Sequence, residues 1–181
     1  IGHHFMRPGP GFGGSCFPKD TKALAAIARS AGYRFSLLEG VIEVNDAQHR
    51  RVVDKVDDAV GGLNGTTVAL LGLAYKAGTA DLRGSPAVEL ARLLTDAGAT
   101  VRAYDPAVRT PVDEVEQTAS VLEAATGAAV ILIATEWPEF SDLDLPALLA
   151  TMSGDAIVDG RNMLEPDAAR AAGFRYIGIG R

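Results

Sequence analysis

The sequence predicts an α/β chain in which a helical segment precedes a parallel-sheet domain. Two helical patterns fill the first third, and the glycine-rich stretch Gly61-Gly62-Leu63-Asn64-Gly65 ends them. Beyond it, short apolar runs alternate with helical patterns, as βαβ units require. The boundary is placed between residues 62 and 63, giving segments 1–62 and 63–181.

The elements follow in order. Residues 1–17 are rich in glycine and proline and are expected to form a loop. Lys19–Ala31 carries Leu24, Ala25, Ile27 and Ala28 at helical spacing, and Gly32 ends the run. Phe35–Val60 is a longer helix, with Leu37, Leu38, Val41, Val44, Val52, Val53 and Val56 as its apolar residues and Gly40 as a weak point. Thr67–Tyr75 reads as one continuous apolar strand, typical of a sheet covered on both faces. After a polar loop, Lys76–Gly84, Ser85 caps a helix with Pro86 at its first position, running to Ala97 before Gly98. Strands at Val101–Tyr104, Ala129–Thr135, Ala156–Asp159 and Tyr176–Ile179 alternate with helices near Val121–Ala125, Leu145–Met152 and Asp167–Ala172. The whole describes a Rossmann-like, doubly wound parallel sheet.

Composition narrows the function. With 181 residues, 48% of them hydrophobic, the chain can bury a core without disulfide staples. A net charge of -6 argues against nucleic acid as partner, since a binder would show a basic face. No apolar run is long enough to cross a bilayer, the longest being Ala128–Ala134, so no membrane partner is expected. A lone cysteine permits no internal disulfide and gives no sign of an oxidising compartment. The start, Ile1-Gly2-His3-His4-Phe5, lacks a signal-peptide pattern and reads as the middle of a longer protein. His3 and His4 have no metal-ligand partners at useful spacing, and no metal is expected.

Doubly wound sheets bind ligands beyond the carboxyl ends of their strands. That rule selects the loops Tyr75–Arg83, Asp105 onward, and Asp159-Gly160-Arg161. Lys76, Arg83 and Arg161 lie in them, and cations at that edge of an acidic protein suggest a diphosphate or similar anion. Solvated surface charge is the alternative. The first strand is not followed by Gly-x-Gly-x-x-Gly, so any nucleotide is bound without that fingerprint. The most distinctive stretch is Gly-Phe-Gly-Gly-Ser-Cys-Phe-Pro-Lys-Asp at residues 11–20. Cys16 stands among glycines, ahead of a helix start and close to Lys19, a setting that favours thiolate over thiol and suits a nucleophile. A small buried hydrophobe is the alternative.

Together with Gly-Leu-Ala-Tyr-Lys at 72–76, Asp-Leu-Arg-Gly-Ser-Pro at 81–86 and Asp-Gly-Arg at 159–161, this stretch resembles the UDP-glucose/GDP-mannose dehydrogenase family over essentially the whole chain. Within it the closest match is to members that oxidise UDP-glucose. The resemblance implies an NAD-dependent, two-step oxidation of the sugar C6 alcohol to a carboxylate, giving UDP-glucuronate for polysaccharide in the cytoplasm. It makes 1–62 the catalytic-cysteine loop and a helical, dimerising segment of the central domain, and 63–181 the UDP-sugar-binding domain. It implies Cys16 as the nucleophile, forming a thiohemiacetal and then a thioester. Asp20 matches the carboxylate that helps activate water, and could equally cap the helix. Lys19 matches a residue near the cofactor that could also favour the thiolate. Substrate contacts carry over to Phe5, Met6, Arg7, Pro8, Gly9, Pro10, Gly11, Phe12 and Gly13, and to Tyr75, Lys76 and Arg161. Cofactor contacts carry over to Cys16, Phe17, Pro18, Lys19 and Arg83. Asn45 and Asp46 read as structural or dimer-contact residues, and the family implies a homodimer or higher homo-oligomer.

The family's Gly-rich NAD loop, catalytic glutamate and central-helix lysine and asparagine would lie upstream of residue 1. NAD is thus expected to be held mainly by another domain, and these 181 residues alone are expected to be inactive. GDP-mannose and a UDP-N-acetylhexosamine are the alternative substrates. Members acting on acetamido sugars tend to carry Gly-Gly-His-Cys, whereas Ser15 stands before Cys16 here. A noncatalytic nucleotide-binding or oligomerisation module is the alternative of another class.

Overall fold

The computed structural model describes residues 2–3 and 6–181. Phe5, one of the expected substrate contacts, lies outside the described residues. Helices α1 (Phe17–Ser30) and α2 (Ser36–Val60) come first. A sheet domain follows, with β1 (Thr67–Leu71), α3 (Pro86–Asp96), β2 (Thr100–Tyr104), β3 (Val115–Gln117), α4 (Val121–Ala125), β4 (Val130–Ile133), α5 (Leu145–Thr151), β5 (Ala156–Asp159), α6 (Pro166–Ala171) and β6 (Arg175–Gly178). The six strands run in the order β3-β2-β1-β4-β5-β6, and every pairing is parallel. This is the Rossmann-like fold expected, with its switch point between β1 and β4.

The period of two along the strands builds the two cores. Val68 and Leu70 of β1, Val130 and Leu132 of β4 and Val158 of β5 face α2 and α3, packing on Val52, Val56, Leu90 and Leu94. Ala69, Leu71, Ile131, Ile133 and Ile157 face the other way, onto Ala124, Phe140, Leu148 and Phe174. Strands covered on both faces must be apolar at every position, which explains their continuous runs. The carboxyl-terminal part of α2 therefore belongs to the sheet's core. Its end is fastened by Arg175 at the start of β6, whose guanidinium donates to the Ala59 carbonyl.

Three differences from the sequence reading have local causes. Strand β1 stops at Leu71 rather than Tyr75, because Gly72 takes φ +94° and Leu73 and Ala74 turn their N–H groups out of the ladder onto Asp105. These residues stay buried, so hydropathy alone could not show the exit. Strand β3 was not expected: it is three residues long with an exposed centre, and pairs Val115 with Val101 at the sheet edge. A 3-10 turn at Pro138–Ser141, which buries Phe140, was also not expected.

Candidate active site

The loop of residues 8–15 runs from Arg161 on one side to Tyr75 on the other. At Gly9 it passes so near Arg161 that a Cβ there would lie 2.8 Å from Nη1. At Gly14, φ is +91° and a Cβ would lie 3.1 Å from the Tyr75 ring, so only glycine fits between loop and ring. The Gly14 N–H donates to the Gly84 carbonyl at 3.1 Å, joining the loop to the turn before α3. Phe12 packs edge-to-face on Phe17, with ring centroids 4.7 Å apart, and so ties the loop to the first turn of α1. Pro10 and Gly14 are buried, while Met6, Arg7 and Pro8 are exposed.

Arg161 follows β5 and is held from its inner side. Its Nε donates to the Ala134 carbonyl at 3.0 Å and lies 3.1 Å from Glu136 Oε2. Its backbone N–H donates to Asp159, which also accepts from Leu164 N and the Tyr176 hydroxyl. Burial pushes the guanidinium pKa down and Glu136 pulls it back, and so basic a group stays charged throughout. With Nε engaged inward, the Nη edge faces the Gly9 end of the loop, as a phosphate fork requires.

Cys16 is exposed and is the residue that opens α1, with no side-chain cap bond at that terminus. Its Sγ is 3.7 Å from Ser15 Oγ. Lys19 Nζ pairs with Asp20 at 3.2 Å, and both are well exposed. Asp20 lies within the first turn of α1 rather than at its cap. Arg83 is within electrostatic range of both Cys16 and Tyr75. It makes a fork onto Asp81, with Nε–Oδ1 2.9 Å and Nη2–Oδ2 2.7 Å. Those bonds hold the Asp81 carboxyl down to about 2. Lys76 Nζ stands 5.4 Å over the Tyr75 ring. The structure thus gathers Gly9, Arg161, Phe12, Gly14, Tyr75 and Lys76 around one loop, with Cys16 at its end and Arg83 nearby.

The sheet domain's ordinary dinucleotide seat is filled by its own side chains. In a doubly wound fold, N–H groups after the first strand and at the next helix start face the diphosphate. Here Leu73 N and Ala74 N donate to Asp105 Oδ2 at 2.8 and 3.0 Å. Trp137 Nε1 donates to the same oxygen, and Ala107 N and Val108 N donate to Oδ1. At α3, the Ser85 hydroxyl accepts from Ala87 N and donates to the Leu73 carbonyl at 2.6 Å, while Pro86 has no N–H to offer. The N–H groups of Leu73, Ala74 and Ala87 are thus already engaged by side chains of this domain. Among the described residues no cluster of three or more metal-ligating side chains occurs, and no helix is long and apolar enough to cross a membrane.

Sequence reasoning did not single out Glu136, Trp137, Gln48 or His49, and left Asn45 as structural or dimer-contact. Asp105 was noted only as the first residue of a loop. The signal for its role was the Asp-Pro pair directly after a strand.

The family description "UDP-glucose/GDP-mannose dehydrogenase family, UDP binding domain" matches residues 69–166, and that of the family's central domain matches residues 1–47. The chain belongs to the UDP-glucose/GDP-mannose dehydrogenase family. It is similar to UDP-glucose 6-dehydrogenase TuaD of Bacillus subtilis, at 42% identity over 100% of this chain and 40% of that protein. Among solved structures it is similar to a UDP-glucose dehydrogenase from Pyrobaculum islandicum, at 36% identity and TM-score 0.84, covering 99% of this chain and 40% of the other. It is also similar to the NDP-N-acetyl-D-galactosaminuronic acid dehydrogenase of Methanosarcina mazei, at 29% identity and TM-score 0.87, covering 96% and 39%. The chain spans about two-fifths of the length of these relatives.

Proposed function

We propose that this chain is the part of a UDP-glucose 6-dehydrogenase that binds the nucleotide sugar and carries the nucleophile. The observation that carries the reading is the loop of residues 8–15, which touches both Arg161 and Tyr75 and ends on an exposed Cys16. Arg161 takes the diphosphate together with loop N–H groups other than those of Phe12 and Gly14, which Asn45 and the Gly84 carbonyl already engage. Tyr75 and Lys76 flank the sugar, with Phe5, Met6, Arg7, Pro8, Gly9, Pro10, Gly11, Phe12 and Gly13 along the bound ligand. NAD, when bound, is the hydride acceptor. Because the sheet domain's own seat is filled by Asp105 and Ser85, NAD is held mainly by another domain, against Cys16, Phe17, Pro18, Lys19 and Arg83.

The chain's own chemistry is that of sulfur. The Cys16 thiolate attacks the C6 aldehyde carbon, and the oxygen takes up a proton to give a thiohemiacetal. Oxidation at that carbon leaves a thioester. Water adds to the thioester carbonyl, Asp20 accepts the water's proton, and the thiolate departs to leave the carboxylate. Lys19 pairs with Asp20 at 3.2 Å, a counter-charge to the proton-accepting carboxylate. These residues alone carry out no turnover. The enzyme is cytoplasmic, where nucleotide sugars and NAD are made, and homo-oligomeric through the exposed apolar residues of α1 and α2, among them Ile27, Leu37 and Val44.

The test is Cys16→Ser in the intact enzyme, following NADH and UDP-glucuronate with UDP-glucose as substrate. Acid formation should fall at least about a thousandfold, as expected when a nucleophile is removed. Unchanged turnover would refute the assignment and favour a noncatalytic module. A thermal-shift titration against UDP and GDP separates the substrates: stabilisation by GDP alone would move the reading to GDP-mannose.

A further inference from the structure

Three side chains on one face of α2, at positions i, i+3 and i+4, meet the glycine loop from below. Asn45 Oδ1 accepts from Phe12 N at 2.7 Å, and its Nδ2 donates to the Phe12 carbonyl at 3.3 Å. Gln48 Nε2 donates to the Gly9 carbonyl at 2.9 Å. His49 is about nine-tenths buried beneath Gly11, and its Nε2 has no hydrogen-bond partner among the described residues. Gly11 has φ +124°, and a Cβ there would lie 2.9 Å from both Asn45 Oδ1 and His49 Nε2. Spacings of three and four residues are those that share a helix face.

We infer that Asn45, Gln48 and His49 form a template that fixes the loop of residues 9–12 in its ligand-ready shape, with Asn45 as the principal positioning residue. An asparagine that both accepts from and donates to the same residue's backbone copies the pairing of a β-strand neighbour. The loop is thereby ordered before any ligand arrives. A glycine-rich segment left free would have to be ordered at binding, at a cost in affinity. His49 supplies a flat ring on which only a residue without Cβ can lie, so the helix face and the glycine are matched. The functional part of this inference rests on the reading of the loop as nucleotide-sugar contact.

Hydrogen exchange on this chain and steady-state kinetics of the intact enzyme test the two parts separately. Asn45→Ala should speed amide exchange at Phe12 and Gly14 about tenfold, with β1 and β4 unaltered. It should also raise KM for UDP-glucose about tenfold while kcat falls less, as expected for the loss of the two half-buried hydrogen bonds to Phe12. Asn45→Asp keeps the acceptor for Phe12 N but turns a carboxylate oxygen towards the Phe12 carbonyl in place of the amide donor, and should recover only part of both effects. Gly11→Ala, made from the loop side, should reproduce the Asn45→Ala pattern. Loop exchange left unchanged, or accelerated equally in β1 and β4, overturns the inference. Faster loop exchange with KM unchanged overturns the reading of the loop as substrate contact, and this inference with it.

Discussion

Replacing Asp105 by alanine should cost about 3–5 kcal/mol of stability. The carboxylate is 4% exposed and accepts five hydrogen bonds, from Leu73 N, Ala74 N, Ala107 N, Val108 N and Trp137 Nε1, at 2.8–3.1 Å. Each orphaned buried donor would cost about 1–3 kcal/mol in a dry cavity. Water entering the space left by the side chain recovers part of that, which leaves a loss typical of a broken buried network. With a urea slope of about 2 kcal/mol per molar, the unfolding midpoint should drop by about 2 M. Asp105→Asn keeps one acceptor oxygen but turns an amide towards Leu73 N or Ala107 N, and should lose about half as much. The charge adds a signature in pH. Burial pushes the Asp105 carboxyl up, but the N–H groups of Ala74, Leu73, Ala107 and Val108 outweigh it and hold the carboxyl below its ordinary 3.8. Its contribution is therefore complete above about pH 3.8 and lost as pH falls through the lower folded value. The gap between the parent and Asp105→Asn should narrow over that acid range. A loss under about 1 kcal/mol for Asp105→Ala at pH 7 would refute the account of this carboxylate as the organiser of the strand ends.

Two further outcomes follow from groups around the loop. His49 is pushed below its ordinary 6.5 by burial, with Asp46 and Glu89 opposing more weakly and Lys22, Arg50 and Arg92 lining the same groove of about 450 Å³. The unfolded chain takes up this proton first, so stability should be full above about pH 6.5 and decline as pH falls below it; the urea midpoint of His49→Gln should lack this decline, and equal profiles would refute it. Glu136→Gln removes the counter-charge 3.1 Å from Arg161 Nε, and UDP binding measured by calorimetry should weaken several-fold as the guanidinium loses its fixed orientation; an unchanged dissociation constant would show that the Ala134 carbonyl suffices.

Most of the fold was legible because burial leaves a period. The strands β1, β4 and β5 are covered on both faces and so are apolar throughout, and Ser85-Pro86 announces α3 through its cap and its missing donor. The edge strand β3 was not legible, since three residues paired on one side need little hydrophobicity. The site divided in the same way. Cys16, Tyr75, Lys76, Arg83 and Arg161, the residues proposed for the site, have reactive, aromatic or charged side chains and stand in recognisable strings. Asn45, Gln48 and Asp105 act on backbone groups far along the chain, Asn45 and Phe12 being 33 residues apart, and only coordinates reveal such partners.

The seating of α2 bears on how this protein can be dissected. Val52 and Val56 are fully buried against the sheet, and Arg175 grips the helix from the far edge. A polypeptide begun in the flexible-looking glycines at 61–65 would leave Leu90, Leu94 and Leu132 without their cover and would be sticky rather than well behaved. Anyone wishing to study the sheet domain in isolation should start upstream of Val52 and keep β6 intact, so that the last turns of the helix travel with the sheet they roof.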